Sequence, residues 1–360
     1  MKGLTGLIPR SEQQQEATVG LSVAGEQQQQ QQSPEWELGV KAMQKNLHAS
    51  LAPSTAAQYK YWWERYTDYC VKVNKEPLDS SGADIAVFLS YTAEVADATG
   101  GVAAAKAAIR HNFLLWRPNK ANPADSSEVE LTLRGLKRRF FKPVTKKTPL
   151  TASEFGLMLD TATQGGDFEG VRLSQLRLAA QIAVMYLTFS RYEEAAALTM
   201  KQVHKQGHNL VIQFEKGKTY QYGESRTAVM AGQPDKVLNP VRVVLAYMKR
   251  LSKTPGNSGG LLFPAVSVSA QGDRALNKAA SYNAVLRQFK ELVVEASVAT
   301  DPAAYGLHSM RRGGVTEAIN SGASDHIVMK QMRVSNVQTV QRYATVNTDM
   351  LASASAAIFH

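Results

Sequence analysis

Tyr305-Gly306-Leu307-His308-Ser309-Met310-Arg311-Arg312-Gly313-Gly314 opens the stretch on which the fold of this chain turns, and Arg342-Tyr343 closes it. A histidine and an arginine three positions apart at a helix start point from one face toward one spot. Such a pair can hold a phosphate oxygen and move a proton beside it. Arginine suits the task because its planar fork donates two parallel hydrogen bonds and keeps its charge at any relevant pH. A downstream tyrosine can supply an attacking oxygen. The chain holds 7 His among many arginines, so roughly one such sequence in three contains an H-x-x-R by chance. The tetrad therefore gains meaning only from the rest of the chain.

Length and composition narrow the choices. A chain of 360 residues suits two domains. Its 41 Lys+Arg against 31 Asp+Glu leave a net charge of +10, which favours a polyanionic partner such as DNA or RNA. An anionic membrane is the competing partner, but no stretch reaches the roughly 18 uninterrupted apolar residues of a spanning helix. The nearest, Leu178 to Phe189, is short and contains Gln181, as a buried core helix would. Residues 1–10 lack the apolar core of a secretory signal and Cys70 is the only cysteine. Neither an internal disulfide nor a multi-cysteine metal site is possible, and an intracellular location is expected. Cys70 lies in an aromatic helix pattern, where a buried, inert thiol is expected.

Along the chain, residues 1–34 carry the glutamine tracts Gln13-Gln15 and Gln27-Gln32 and are expected to be a disordered tail. Residues 35–141 read as an all-helical bundle. After Pro53, with Ser54 as the expected N-cap, Tyr59, Trp62, Trp63, Tyr66 and Cys70 recur at helical spacing. Their aromatic face reads as bundle core rather than as a platform for bases. Further helices are expected over Ala83–Val95, Val102–Trp116 and Ser126–Phe141. Arg134, Lys137, Arg138, Arg139, Lys142, Lys146 and Lys147 place seven cations within fourteen residues. With no interspersed acids, they suggest a phosphate-contacting strap running into a basic linker, 142–150; a nuclear-import signal fits the same residues.

The second domain, 151–360, starts with a helix capped by Thr151 or Ser153. The most apolar helix follows, Leu176 to Phe189, directly ahead of Ser190-Arg191-Tyr192-Glu193-Glu194. A further helix is expected to about Val203. Asn209–Phe214 and Tyr220–Met230 then read as the one strand pair, joined through a turn that carries Lys216 and Lys218. Helices at Pro240–Leu251 and Ser281–Val298 lead back to the His308 stretch. The expected fold is mainly α with a small β-hairpin or sheet.

Helical bundle, basic linker, Arg191-x-x-Glu194, hairpin lysine, His308-x-x-Arg311 and Tyr343 come in an order that resembles the tyrosine recombinases, the phage-integrase-like site-specific recombinases. The resemblance covers roughly residues 36 to 357, and Arg311-Arg312-Gly313-Gly314 is closer to recombinases of eukaryotic mobile elements than to bacterial chromosome-dimer resolving enzymes. It implies an N-terminal helical core-binding (SAM-like) bundle and a C-terminal α+β catalytic domain. Arg191 and Arg311 would clamp the scissile phosphate. Tyr343 would attack phosphorus to leave a 3′-phosphotyrosyl link, and His308 would assist by hydrogen bonding and proton transfer. Lys218, or alternatively Lys216, would protonate the leaving 5′ oxygen. Glu194 would orient Arg191. No cofactor and no metal is required, because the bond energy is kept in the phosphotyrosine. The implied partners are double-stranded DNA and further copies of the chain, a dimer per site and a tetramer per synapse, with a final helix at about Asp349 to Phe359 docking on a neighbour. The nucleus would be the location in a eukaryotic host.

One departure stands out. Nine residues before the nucleophile the family usually carries a His or Trp that bonds the phosphate, and here Val334 occupies the place. Arg333 or Ser335 would have to take over. Two alternatives accordingly stand beside the strand-exchange enzyme: a DNA-binding protein that keeps the fold with impaired chemistry, and a type IB topoisomerase-like nicking and closing enzyme.

Overall fold

Capping side chains and proline set most helix starts in this chain. The computed structural model describes residues 33–142, 146–215, 226–233, 239–258, 260–269 and 272–343. The glutamine-rich stretch 1–32, Lys216, Lys218, the first part of the expected second strand and the expected final helix lie outside the described residues. The chain divides into two compact units, residues 1–144 and 145–360.

In the first unit, Ser33 accepts the Trp36 N–H and Pro34 starts α1 (Pro34–Ala49). Helix α2 (Pro53–Lys72) begins two residues earlier than a Ser54 cap would require, because Pro53 takes the first helical position and Ala52 the cap. Ser81 and Asp84 form a reciprocal capping box for α3 (Gly82–Ala96). Helix α4 (Val102–Trp116) follows, and Ser126 caps α5 (Ser127–Arg139), which stops short of Phe141. The bundle core gathers Tyr66, Ile85, Phe88, Leu89, Ile109, Phe113, Val129 and Leu136. Tyr66 meets Phe88 edge-on at 5.0 Å, so the aromatic face of α2 is core, with Trp62 and Trp63 at its margin. Cys70 is buried, and burial pushes its thiol up.

The second unit opens with α6 (Ala152–Thr163), where Thr151, not Ser153, forms a capping box with Glu154. Helix α7 (Leu173–Leu187) buries 12 of its 15 residues, which marks it as the central helix. It packs against α6 and against four of the helices that follow. It ends two residues before Phe189, whose positive φ of 52° reverses the chain. The expected long helix to Val203 is replaced by the five-residue α8 (Tyr192–Ala196), a 3₁₀ turn at Met200–Gln202 and β1 (Val203–Gln206). Strands β1, β2 (Asn209–Phe214) and β3 (Arg226–Met230) form an antiparallel sheet in that order, with Val203 opposite Ile212 and Leu210 opposite Met230.

Helix α9 (Pro240–Ser252) leads to a second sheet that the sequence pattern did not suggest, β4 (Pro264–Ser269) paired with β5 (Gly272–Ala279). Most of its residues are exposed or half-buried, so neither strand carries a strong apolar alternation. Helices α10 (Tyr282–Glu295), α11 (Leu307–Asn320), α12 (Asp325–Met332) and α13 (Val337–Gln341) complete the unit. Mainly helical structure with small antiparallel sheets is the class expected from the sequence.

Two glycines let α11 lie almost backbone-to-backbone on its neighbours. A Cβ at Gly313 would sit 1.9 Å from the Leu150 carbonyl oxygen, and one at Gly314 would sit 2.2 Å from that of Tyr186. Rotamer changes cannot relieve a clash with backbone. Gly313→Ala should therefore lose about 1–3 kcal/mol, although alanine is the better helix former. Gly135→Ala on α5, with nothing within 4 Å of the new methyl, should gain up to about 1 kcal/mol from helix propensity. Urea denaturation of the two variants should move the midpoint in opposite directions.

Candidate active site

The reversal at Phe189 delivers Arg191 to the start of α8. Its extended backbone (φ −79°, ψ 160°) stands just ahead of the helix, and Glu194, three residues on, reaches back to it. Glu194 Oε2 accepts the Arg191 backbone N–H at 3.0 Å, while Oε1 accepts from Arg191 Nη1 at 2.8 Å. Arg191-x-x-Glu194 is thus one half of a capping box with an ion pair added. The Glu194 residue is only 5% exposed.

Two further guanidiniums approach the same carboxylate. Arg333 Nη2 donates to Glu194 Oε2 at 3.1 Å, and Arg311 Nη1 lies 3.8 Å from that oxygen. Burial pushes the Glu194 carboxyl up, but Arg333, the Arg191 backbone N–H, Arg311 and Arg191 outweigh it and hold the group below the ordinary carboxylate value. It is ionised at neutral pH.

Arg311 is fully buried and donates Nη1 to the Phe189 carbonyl oxygen at 2.6 Å. Its Nε and Nη2 have no hydrogen-bond partner among the described residues. Burial, then repulsion from Arg191, brings its pKa down to about 10, so it stays a cation. Its guanidinium carbon lies 5.3 Å from the centre of the Tyr343 ring. The Tyr343 hydroxyl is 3.3 Å from His308 Nε2. Tyr343 follows α13, its N–H bonded to the Val340 oxygen at 2.8 Å, and Thr316 Oγ1 donates to its carbonyl oxygen at 3.1 Å. Enclosure by the protein, then Arg311 and Arg191, pull His308 below its ordinary 6.5. A neutral imidazole beside a phenol can accept its proton.

The structure thus brings Arg191, Glu194, His308, Arg311 and Tyr343 together, while Lys216 and Lys218 lie outside the described residues. The two residues considered for the place of the missing His or Trp behave differently. Ser335 is exposed. Arg333 is 1% exposed and turned inward, its guanidinium 3.9 Å above the Phe214 ring. Val334 packs with Phe189, Val315, Val328, Met332 and Val340. Arg333 as a partner of Glu194 had no sequence signal, because the contact joins residues 139 positions apart.

The basic run is less bare than its sequence suggests. Arg134 pairs with Glu130 at 3.6 Å, Arg139 with Glu94 at 2.7 Å and Lys142 with Asp97 at 2.8 Å. The counter-charges come from one turn back on α5 and from the end of α3 with its capping residue Asp97, none of them from within the run itself. Such exposed pairs contribute about 0–1 kcal/mol. Lys137, Arg138 and Lys146 are exposed, and Lys147 bonds the Ala303 carbonyl oxygen. The end of the expected linker is pinned to the second unit through Thr148 N–H to Ala304 O and Leu150 N–H to Ser309 O.

Comparison with known proteins gives the family and the fold. A model described as the Phage integrase family matches residues 150–350. The tyrosine recombinase XerD of Mycobacterium leprae (strain TN) is 24% identical over 325 residues, covering 85% of this chain and 90% of that protein. Among solved structures, the Tn1549 transposon integrase in complex with circular intermediate DNA has a TM-score of 0.57 at 15% identity, covering 88% of this chain and 97% of that one. The XerH site-specific recombinase bound to palindromic difH substrate has a TM-score of 0.56 at 15% identity, covering 90% and 80%.

Titration of the histidines by NMR should place His308 below 6.5. Arg191→Gln removes a repelling cation, favours the imidazolium and should raise that value partway toward the ordinary one. An unchanged His308 in the variant would mean that the cations do not act on it.

Proposed function

We propose, because the chain belongs to the phage integrase family and is a site-specific DNA recombinase of the tyrosine type, that Tyr343 is its nucleophile. The supporting observation is the Tyr343 hydroxyl at 3.3 Å from His308 Nε2 with the Arg311 guanidinium alongside. The Tyr343 oxygen bonds to phosphorus as the bond to the 5′ oxygen breaks. The phenol proton passes to His308, and the leaving oxygen departs as a 5′-hydroxyl after protonation by Lys218 or Lys216. A 3′-phosphotyrosyl link remains. A 5′-hydroxyl from a second strand attacks it in the reverse sense, which reseals the backbone without an external energy source.

Arg191 and Arg311 hold the non-bridging oxygens as charge grows on them. The two unpartnered N–H groups of Arg311 are the donors available, and in a water-poor site such preorganised donors count for more than in water. We assign 35–141 as a DNA-binding bundle, 142–150 as a linker and 151–360 as the catalytic domain. Arg134, Lys137, Arg138, Arg139, Lys142, Lys146 and Lys147 are candidate phosphate contacts. Two protomers bind each duplex site and four assemble for exchange, within an element that moves between DNA sites. Among the described residues no helix is long and apolar enough to cross a membrane, and we place the protein with its DNA.

A randomised-sequence pool of singly nicked duplexes tests this whatever the target sequence. The wild-type chain should capture a subset as covalent adducts that survive denaturation, and Tyr343→Phe should capture none. Arg311→Lys should slow capture by about a hundredfold or more, with affinity for the recovered duplex changed only slightly because binding rests on many phosphate contacts. Equal loss of capture and affinity, or an adduct that persists in Tyr343→Phe, would overturn the assignment.

A further inference from the structure

We propose that Arg333 is a positioning residue for this reaction. It takes up the charge of Glu194 so that Arg311 turns its remaining donors to the DNA phosphate instead of joining Arg191 on the carboxylate. The inference rests on the reading of Arg191, Arg311 and Tyr343 as the reacting site.

Arg333 cannot be the donor that Val334 lacks. It is 1% exposed, and its bonds run inward: Nη2 to Glu194 at 3.1 Å, Nη1 to the carbonyl oxygens of Thr188 at 3.0 Å and Gln331 at 2.7 Å. The flat face of the guanidinium covers Phe214, the last residue of β2. These contacts gather the end of α7, the start of α8, the sheet and the turn ten residues before Tyr343. Arg226 adds a bond to the Arg333 carbonyl oxygen at 3.3 Å.

Competition for one oxygen gives Arg333 its role. Glu194 Oε2 accepts from Arg333 and from the Arg191 backbone N–H, while Arg311 Nη1, bonded to the Phe189 carbonyl oxygen, lies 3.8 Å away and the Nε and Nη2 of Arg311 have no partner among the described residues. Without Arg333, that oxygen would draw Arg311 in, and a guanidinium closed on a carboxylate is lost to a phosphate. The backbone supports a specific use of the side chain. Arg333 sits in the left-handed region (φ 59°, ψ 42°), where a side chain is strained and glycine is not.

That backbone makes Arg333→Gly an informative variant, since glycine relieves the strain while removing the guanidinium. Its thermal midpoint should fall, because a buried ion pair loses one partner, while at a temperature where it is folded its affinity for the recovered nicked duplex should stay close to wild type. Single-turnover adduct formation should slow by about tenfold to a hundredfold, the loss typical of a misplaced reacting group. In a Glu194→Gln background, where no anion competes for Arg311, adding Arg333→Gly should change the rate less than about twofold, the non-additivity of two residues acting through one contact. Arg333→Lys, which keeps a cation near Glu194, should recover part of the rate. A wild-type rate for Arg333→Gly overturns the proposal, as does the same loss in both backgrounds or a parallel loss of affinity. If glycine and lysine variants both fail to fold, Arg333 is structural only and the proposal falls. A wild-type chain without any Tyr343 adduct sinks the function itself, a result the cycle distinguishes from failure of Arg333 alone.

Discussion

A single buried carboxylate, that of Glu194, holds the second unit's charged centre in place. Three guanidiniums face it, from Arg191, Arg311 and Arg333, and three cations against one anion leave two positive charges. Removing ions from water costs several kcal/mol each unless partners compensate. Here compensation is complete for Glu194 and incomplete for Arg311, which keeps two N–H groups without partners. A site in that condition attracts an anion, and a phosphodiester brings both the charge and the paired oxygens that a guanidinium fork matches.

The fold works to keep this centre narrow. Arg191 reaches it because α7 stops and Phe189 adopts a positive φ, a conformation that costs a non-glycine residue roughly 1–2 kcal/mol. Arg311 reaches it because Gly313 and Gly314 let α11 settle against Leu150 and Tyr186. The Phe189 carbonyl oxygen, exposed by its own reversal, then accepts from Arg311. Val334 belongs to the same construction. Its side chain joins the small core that contains Phe189 and Val340, and that core supports the turn leading to Tyr343.

What could be read from the sequence divides along the range of the interactions. Most helices were legible because their apolar spacing and caps are local, as at Ser81 with Asp84 or Thr151 with Glu154. Arg191 with Glu194, and His308 with Arg311, were legible because each pair spans about one helical turn. The second sheet was not, since strands as exposed as β4 and β5 leave little periodic trace. Nor was the break after α8, where a helix-like run gives way to a 3₁₀ turn and a strand edge set by pairing with β2. Arg333 was the hardest case. From sequence it was a cation beside Val334, a candidate donor to the phosphate. Only the left-handed backbone and the distant partners Thr188, Phe214 and Glu194 turn it inward.

The same field that invites a phosphate also prepares the proposed proton acceptor. Burial, then Arg311 and Arg191, lower the pKa of His308 and favour its neutral form, which leaves a lone pair for the Tyr343 hydroxyl. Before DNA arrives, however, those cations also oppose a positive charge on the imidazole, so proton transfer from the phenol is disfavoured. A bound phosphodiester places a negative charge between the guanidiniums and raises the affinity of His308 for a proton. The barrier to forming the tyrosinate then falls when the phosphorus is in position and not before. In the proposed reaction, substrate binding is in this way coupled to activation of the nucleophile through electrostatics alone, and the coupling is only as strong as Arg311 is free of Glu194.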